Sequence, residues 1–163
     1  MPVIQAGLHV SFTSPASDRI LMAGSSVDFV VNSTQSADLG LKINAQPVAS
    51  GSAATTLSYS HTFAAAGNYE VIASATAGGT TVYDTLKVFA SAPVVDEPLP
   101  AGVLPGITYT SSTSATLVLH APGKQFVFLI GEINNWLPDN NYLLKRDGEF
   151  WWITLEGLTP GHL

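Results

Sequence analysis

Leu57-Ser58-Tyr59-Ser60-His61-Thr62-Phe63, then Ala64-Ala65-Ala66-Gly67-Asn68, then Tyr69-Glu70-Val71-Ile72-Ala73: this stretch decides the fold. Leu57, Tyr59, His61 and Phe63 alternate with Ser58, Ser60 and Thr62, the period of a half-buried strand. Ala66-Gly67-Asn68 is a turn signal, and a second alternating run begins at Tyr69. A Tyr directly after Gly-Asn at a strand start reads as a tyrosine corner. There the phenol hydrogen-bonds nearby backbone and pins a crossover between two sheets.

The same period recurs on both sides. Leu8-Val10-Phe12, Val27-Phe29-Val31, Leu39-Leu41-Ile43 and Val82-Asp84-Leu86-Val88 are further alternating sets. Ser14-Pro15, Ala23-Gly24-Ser25, Gly51-Ser52 and Gly78-Gly79 read as the turns between them. About seven short strands in the first 90 residues predict a β-sandwich over 1–90. Residues 91–106 hold four of the ten prolines, Pro93, Pro98, Pro100 and Pro105. This is a proline-rich linker, stiffened toward polyproline II. Its apolar members Val94, Val95, Leu99, Val103 and Leu104 predict that it packs on a surface. Strands resume at Thr108–Ser111, Ser114–His120, Gln125–Glu132, Tyr142–Arg146 and Glu149–Leu155.

Composition excludes several functions. Apolar residues are 46% and charged residues 11% of the 163, which argues against disorder. Twelve Asp and Glu outweigh six Lys and Arg, for a net charge of −6. No basic patch is present, so nucleic acid and anionic membrane lack their electrostatic footprint. No apolar run is long enough to span a bilayer as a helix. There is no cysteine. That removes disulfides, cysteine-type zinc sites, iron–sulfur clusters and thiol nucleophiles. Met1-Pro2-Val3-Ile4 shows no signal-peptide pattern.

In the second module, Thr116-Leu-Val-Leu-His-Ala-Pro122 precedes Phe126-Val-Phe-Leu-Ile-Gly-Glu-Ile-Asn-Asn-Trp136. Asp147-Gly-Glu-Phe-Trp-Trp152 and Leu158-Thr-Pro-Gly161 follow in order. Over 107–163 this resembles carbohydrate-binding module family 48 and related early-set immunoglobulin-like domains, which precede the catalytic barrel in glycoside hydrolase family 13 enzymes. Glu132 and Ile133 stand where that family has Asp and Phe, and Trp152 is an added aromatic. The first module resembles bacterial immunoglobulin-like modules; the Trp-Asp-Phe-Gly-Asp-Gly motif of PKD domains is absent.

The resemblance implies an all-β chain of two immunoglobulin-like β-sandwiches in tandem, 1–90 and 107–163, with the second truncated at its C-terminus. It implies the non-catalytic N-terminal accessory region of a secreted or cell-surface bacterial α-amylase-type enzyme. That region would position the catalytic barrel of the parent chain and contact α-glucan, starch or glycogen, weakly. The rival readings are a structural or adhesive tandem sandwich at the cell surface and a self-contained enzyme.

The candidate sugar site is Trp136 with Asn134 and Asn135. A pyranose face stacks on a flat indole while amides take its hydroxyls. The competing reading has both Asn building the turn and Trp136 plugging the sandwich end. Trp151 falls in register with Ile153 and Leu155 as a core residue. Trp152 falls on the outer face as a surface contact, for sugar, linker, first module or catalytic barrel. His9, His61, His120 and His162 have no metal-ligand spacing, so no metal and no cofactor is expected. Glu132, Asp139, Asp147, Glu149 and Glu156 read as turn and surface carboxylates, and no catalytic residue is assigned. The Asn32-Ser33-Thr34 sequon carries little weight. With a strand missing after Pro160-Gly161, an open sheet edge is expected to drive self-association and to leave the second module the less ordered one.

Overall fold

The computed structural model describes residues 7–159. Its elements are β1 (Val10–Ser14), β2 (Arg19–Met22), β3 (Ser26–Ile43), β4 (Gln46–Thr62), β5 (Gly67–Ala77), β6 (Thr80–Ser91), β7 (Gly106–Ser111), β8 (Ser114–His120), β9 (Lys145–Asp147) and β10 (Phe150–Leu155). Two single-turn 3₁₀ helices, Glu132–Asn134 and Asn140–Tyr142, are the helical elements among the described residues. The architecture is all-β and sandwich-like. The chain divides into two compact units, 1–91 and 92–163. The Pro160-Gly161 turn and His162 lie outside the described residues.

The first unit is built on one long hairpin that serves both layers. The N-terminal half of β3 pairs with β1 and with the C-terminal half of β4; its C-terminal half pairs with β5 and with the start of β4. The register shifts between Asn32 and Ala37, where β3 passes from one layer to the other. β5 continues the second layer to β6, and β2 closes it in a parallel pairing with β6. Phe12, Phe29 and Val31 from one layer meet Leu41, Val71, Ala73 and Val88 from the other in a single buried cluster. Phe29 stands edge-on to Phe12 at 6.1 Å and to Phe63 at 6.3 Å, and Phe63 to Tyr69 at 4.8 Å. Such edge-to-face pairs lie in the favourable range for aromatic rings.

The Tyr69 hydroxyl donates to the Ala65 carbonyl at 2.8 Å, the expected tyrosine corner. One turn is placed differently from the sequence expectation. Gly51-Ser52 lies inside β4, beside a bulge with Ala53 at φ 51°, and is not a hairpin turn. The hairpin turns instead at Asn44-Ala45, with φ of 48° and 65°. A turn with positive φ at both positions matches strand twist, and Asn tolerates it. Asn44 is held by bonds to both backbone groups of Glu70.

The second unit is the antiparallel sheet β7-β8-β10-β9. Ile107, Leu117 and Ile153 share a register row on one face; Thr108, Thr116 and Thr154 share one on the other. The expected strand Gln125–Glu132 does not form. Phe128 makes one bridge with Leu143, flanked by bonds from Leu129 N to Tyr142 O and Leu144 N to Val127 O. The 3₁₀ turns at Glu132–Asn134 and Asn140–Tyr142 draw the chain away on either side, so the ladder cannot extend. This pair supplies a facing layer: Val127, Leu129 and Leu144 line a cleft of about 260 Å³ with Leu117, Leu119 and Ile153.

Segment 92–106 belongs to the second unit and is fastened by polar bonds more than by its apolar members. Asp96 bridges to Arg146 in parallel fashion, Arg146 N donates to Val95 O, and Glu97 N to Arg146 O. Arg146 grips Asp96 through two nitrogens at 2.6 and 3.0 Å. Lys145 meets Glu97 at 2.8 Å, and the Leu99 amide donates to Asp147. Val95 and Leu104 stay exposed.

Candidate carbohydrate-contact loop

Gly131 to Leu137 closes on itself around one carbonyl. Gly131 O accepts from Asn134 N at 3.2 Å and from Trp136 N at 2.8 Å. Leu137 N returns to Asn134 O at 3.1 Å. Asn134 is buried at the centre: its Oδ1 accepts from Gly131 N at 2.8 Å and its Nδ2 donates to Leu129 O at 2.7 Å. Buried amides without such partners cost about 1–3 kcal/mol, so this side chain is what lets the turn close. Asn134 therefore builds the loop and does not present its amide to a ligand, which corrects its assignment as a sugar contact.

Asn135 and Trp136 follow in the left-handed region at φ 53° and 59°. For Asn this conformation is tolerated; for a bulky residue it costs on the order of 1–3 kcal/mol. The backbone thereby turns Trp136 outward, 66% exposed, beside the exposed Asn135. Ile130, Ile133 and Leu137 are exposed on the same segment. Trp136 does not plug the end of the module. The loop offers an indole and one amide to solvent, a neutral stacking surface for a neutral ligand.

Trp152, expected to meet another surface, meets the linker. It is 4% exposed, its indole N–H donates to Glu97 O at 2.9 Å, and Lys145 Nζ stands 4.6 Å from its ring centroid. Of the four partners the outer face of β10 allows, the linker is the one that covers it. Asp96-Glu97 facing Lys145-Arg146 is the arrangement that composition reading missed; two acidic neighbours in an otherwise neutral linker and two basic neighbours in a strand were its signal. Trp151 is a core residue as expected, 1% exposed, with its indole N–H donating to Ala121 O at 3.0 Å.

The remaining titratable groups are scattered. His120 pairs with Glu149 at 3.2 Å, exposed on both sides, while His61 stacks against Tyr59 and meets Phe63 edge-on. Arg146 holds the Asp96 carboxyl below its ordinary range, and Asp96 in turn raises Arg146.

No protein-family model matches the chain, and no curated protein does. Solved structures resemble parts of it. The CARDB domain of PF1109 from Pyrococcus furiosus aligns at 14% identity and TM-score 0.39, over 50% of this chain and 94% of that one. The fibronectin(III)-like modules of Clostridium thermocellum CbhA align at 15% and 0.41, over 52% and 98%. A β-glucuronidase of Bacteroides uniformis aligns at 16% and 0.43; it covers 82% of this chain, which matches 15% of the enzyme's length. Likeness at this level carries no argument about activity or substrate.

Proposed function

We propose that this chain is a non-catalytic accessory region of a secreted bacterial α-amylase-type enzyme, in which the first unit is a spacer and the second a family-48-like module that contacts α-glucan through Trp136. The observation that carries the reading is Trp136 itself. A side chain of this size held outward in a left-handed backbone bears two costs at once, exposure and strain, and packing explains neither. Ordered motifs from Thr116 to Trp152 support the family, and the absence of a basic patch suits a neutral polysaccharide. Asn135 is the amide left to take a sugar hydroxyl, since Asn134 is engaged within the loop.

Affinity electrophoresis in native gels containing glycogen or amylopectin tests this. Wild-type protein is expected to be retarded, and Trp136→Ala to run with the reference proteins. Asn135→Ala should fall between them. Wild-type protein that runs unretarded refutes the glucan contact and favours the structural tandem-sandwich reading.

A further inference from the structure

We propose that the free edge of β4, from Thr56 to Ser60, pairs with the same edge of a second copy of this chain, antiparallel and with Ser58 on the two-fold axis. Ladder parity identifies the main-chain groups this edge offers. Phe63 N donates to Ser25 O, which makes 25 and 63 a hydrogen-bonded pair. Such pairs alternate along an antiparallel ladder, so Val27–His61, Phe29–Tyr59 and Val31–Leu57 also direct their main-chain groups between β3 and β4. The opposite side of β3 agrees: Val30 O accepts from Thr13 Oγ1 and Asp28 O from Ser14 Oγ, both on β1. The N–H and C=O groups of Thr56, Ser58 and Ser60 therefore point away from β3. Among the described residues β4 has no strand on that side. Thr62 shares this phase, but its carbonyl accepts from Ala64 N.

Neighbouring edges are guarded and this one is not. On β1 the Phe12 amide, which points away from β3, is taken by the Asp84 carboxylate at 2.9 Å. The first half of β4 carries Pro47 and the bulge at Ala53, whose amide donates to Asp38. Proline, bulges and charges are the usual devices against edge pairing, and Thr56–Ser60 has none of them. Self-complementarity selects the occupant. From Gln46 to Thr62, β4 holds no Asp, Glu, Lys or Arg, so it offers a charged partner nothing to recognise and sets no like charge against a copy of itself. Asp28 lies one strand inward, opposite Ser60; three strand spacings put it about 14 Å from its counterpart, beyond the screening length of about 8 Å. With Ser58 on the axis, Thr56 bonds Ser60 of the second copy, Ser58 bonds Ser58, and Ser60 bonds Thr56, about six main-chain bonds in all. Leu57 then faces Tyr59 of the second copy at the positions where side chains come closest. Both already pack on the core cluster, so the pairing carries the apolar layer across the axis.

The test uses the 163-residue chain. Sedimentation velocity from about 10 μM to 1 mM, the range of a weak Kd, should show a monomer–dimer equilibrium. Ser58 and Ser52 are both exposed, so substitutions there leave the core untouched. Ser58→Lys sets two ammonium groups against each other at the axis and should weaken the dimer at least tenfold; Ser52→Lys, on the far side of the bulge, should leave it unchanged. The chain has no cysteine, so Ser58→Cys supplies a single thiol per copy. Hydrogen-bonded antiparallel pairs stand about 5.5 Å apart at Cα, within disulfide reach. Ser58→Cys should therefore cross-link under mild oxidation at least tenfold faster than Ser52→Cys. A monomer throughout the concentration range overturns the proposal. So does a dimer that Ser58→Lys leaves intact, since it is held through other residues, and so does equal cross-linking of the two cysteine variants. None of these outcomes bears on the glucan contact, because Trp136 belongs to the second unit.

Discussion

At the scale of the residue, left-handed backbone separates two uses of strain. Asn44-Ala45 and Asn135-Trp136 each place an Asn and then a non-glycine residue at positive φ. In the first pair the second residue is a small side chain on a hairpin, with Asn44 clamped to Glu70 on the neighbouring strand. Nothing about a ligand is needed there, and the cost at Ala45 is relievable. Ala45→Gly is expected to stabilise the first unit by about 1 kcal/mol, the left-handed penalty of an L-residue less the extra freedom of glycine in the unfolded chain. Urea unfolding followed by fluorescence reads this, and a lower midpoint would show that Ala45 is unstrained. In the second pair the strained residue is a Trp aimed at solvent, and relief there would remove the candidate contact itself. Position, not conformation, marks Trp136 as the candidate contact.

At the scale of the element, the linker behaves as a strap of the second unit. Its fastening is ionic and main-chain: Asp96 and Glu97 against Arg146 and Lys145, with Trp152 beneath. The Asp96 carboxyl titrates below its ordinary 3.8, chiefly through the hydrogen bond from Arg146. A carboxylate so lowered contributes above its ordinary value, and the contribution fades as pH falls through the lowered one. The Trp152 indole N–H, donating to Glu97 O, is a built-in reporter of the strap. Its NMR signal should hold steady from pH 7 to about 4 and move only at lower pH. Arg146→Ala should return Asp96 to an ordinary titration. An indole signal that follows a group titrating near neutrality would refute this account. Because both partners are exposed to water, the effect belongs to local docking and not to global stability.

At the scale of the whole molecule, the two units differ in how they are held. The first encloses a continuous apolar cluster between its layers, from Val10 to Ala90. Residues 1–91 alone should therefore unfold cooperatively, with a midpoint within a few degrees of the same transition in the full chain; a fragment lacking dispersed methyl signals would show that this core is not self-sufficient. The second unit buries Trp151, Trp152, Val118 and Leu144 but leaves Ile107, Tyr109 and Leu119 exposed on one sheet face. Alternation made the strands of the first unit legible, and Gly67-Asn68-Tyr69 made its corner legible, because a period of two and a turn are local properties. The same local signals misplaced the hairpin at Gly51-Ser52 and drew a strand at Gln125–Glu132. Whether a bulge or a turn interrupts β4, and whether an apolar run acquires a ladder, depends on partners far along the chain. The amino-acid sequence by itself determined the all-β class, the core faces of the main strands of the first unit and Trp136 as the candidate contact. Only the tertiary structure decided that Asn134 is buried inside its loop and that the linker's charges cover Trp152. The second is a pairing between groups some fifty residues apart, and the first depends on which side chain of a turn is buried; neither leaves a periodic trace.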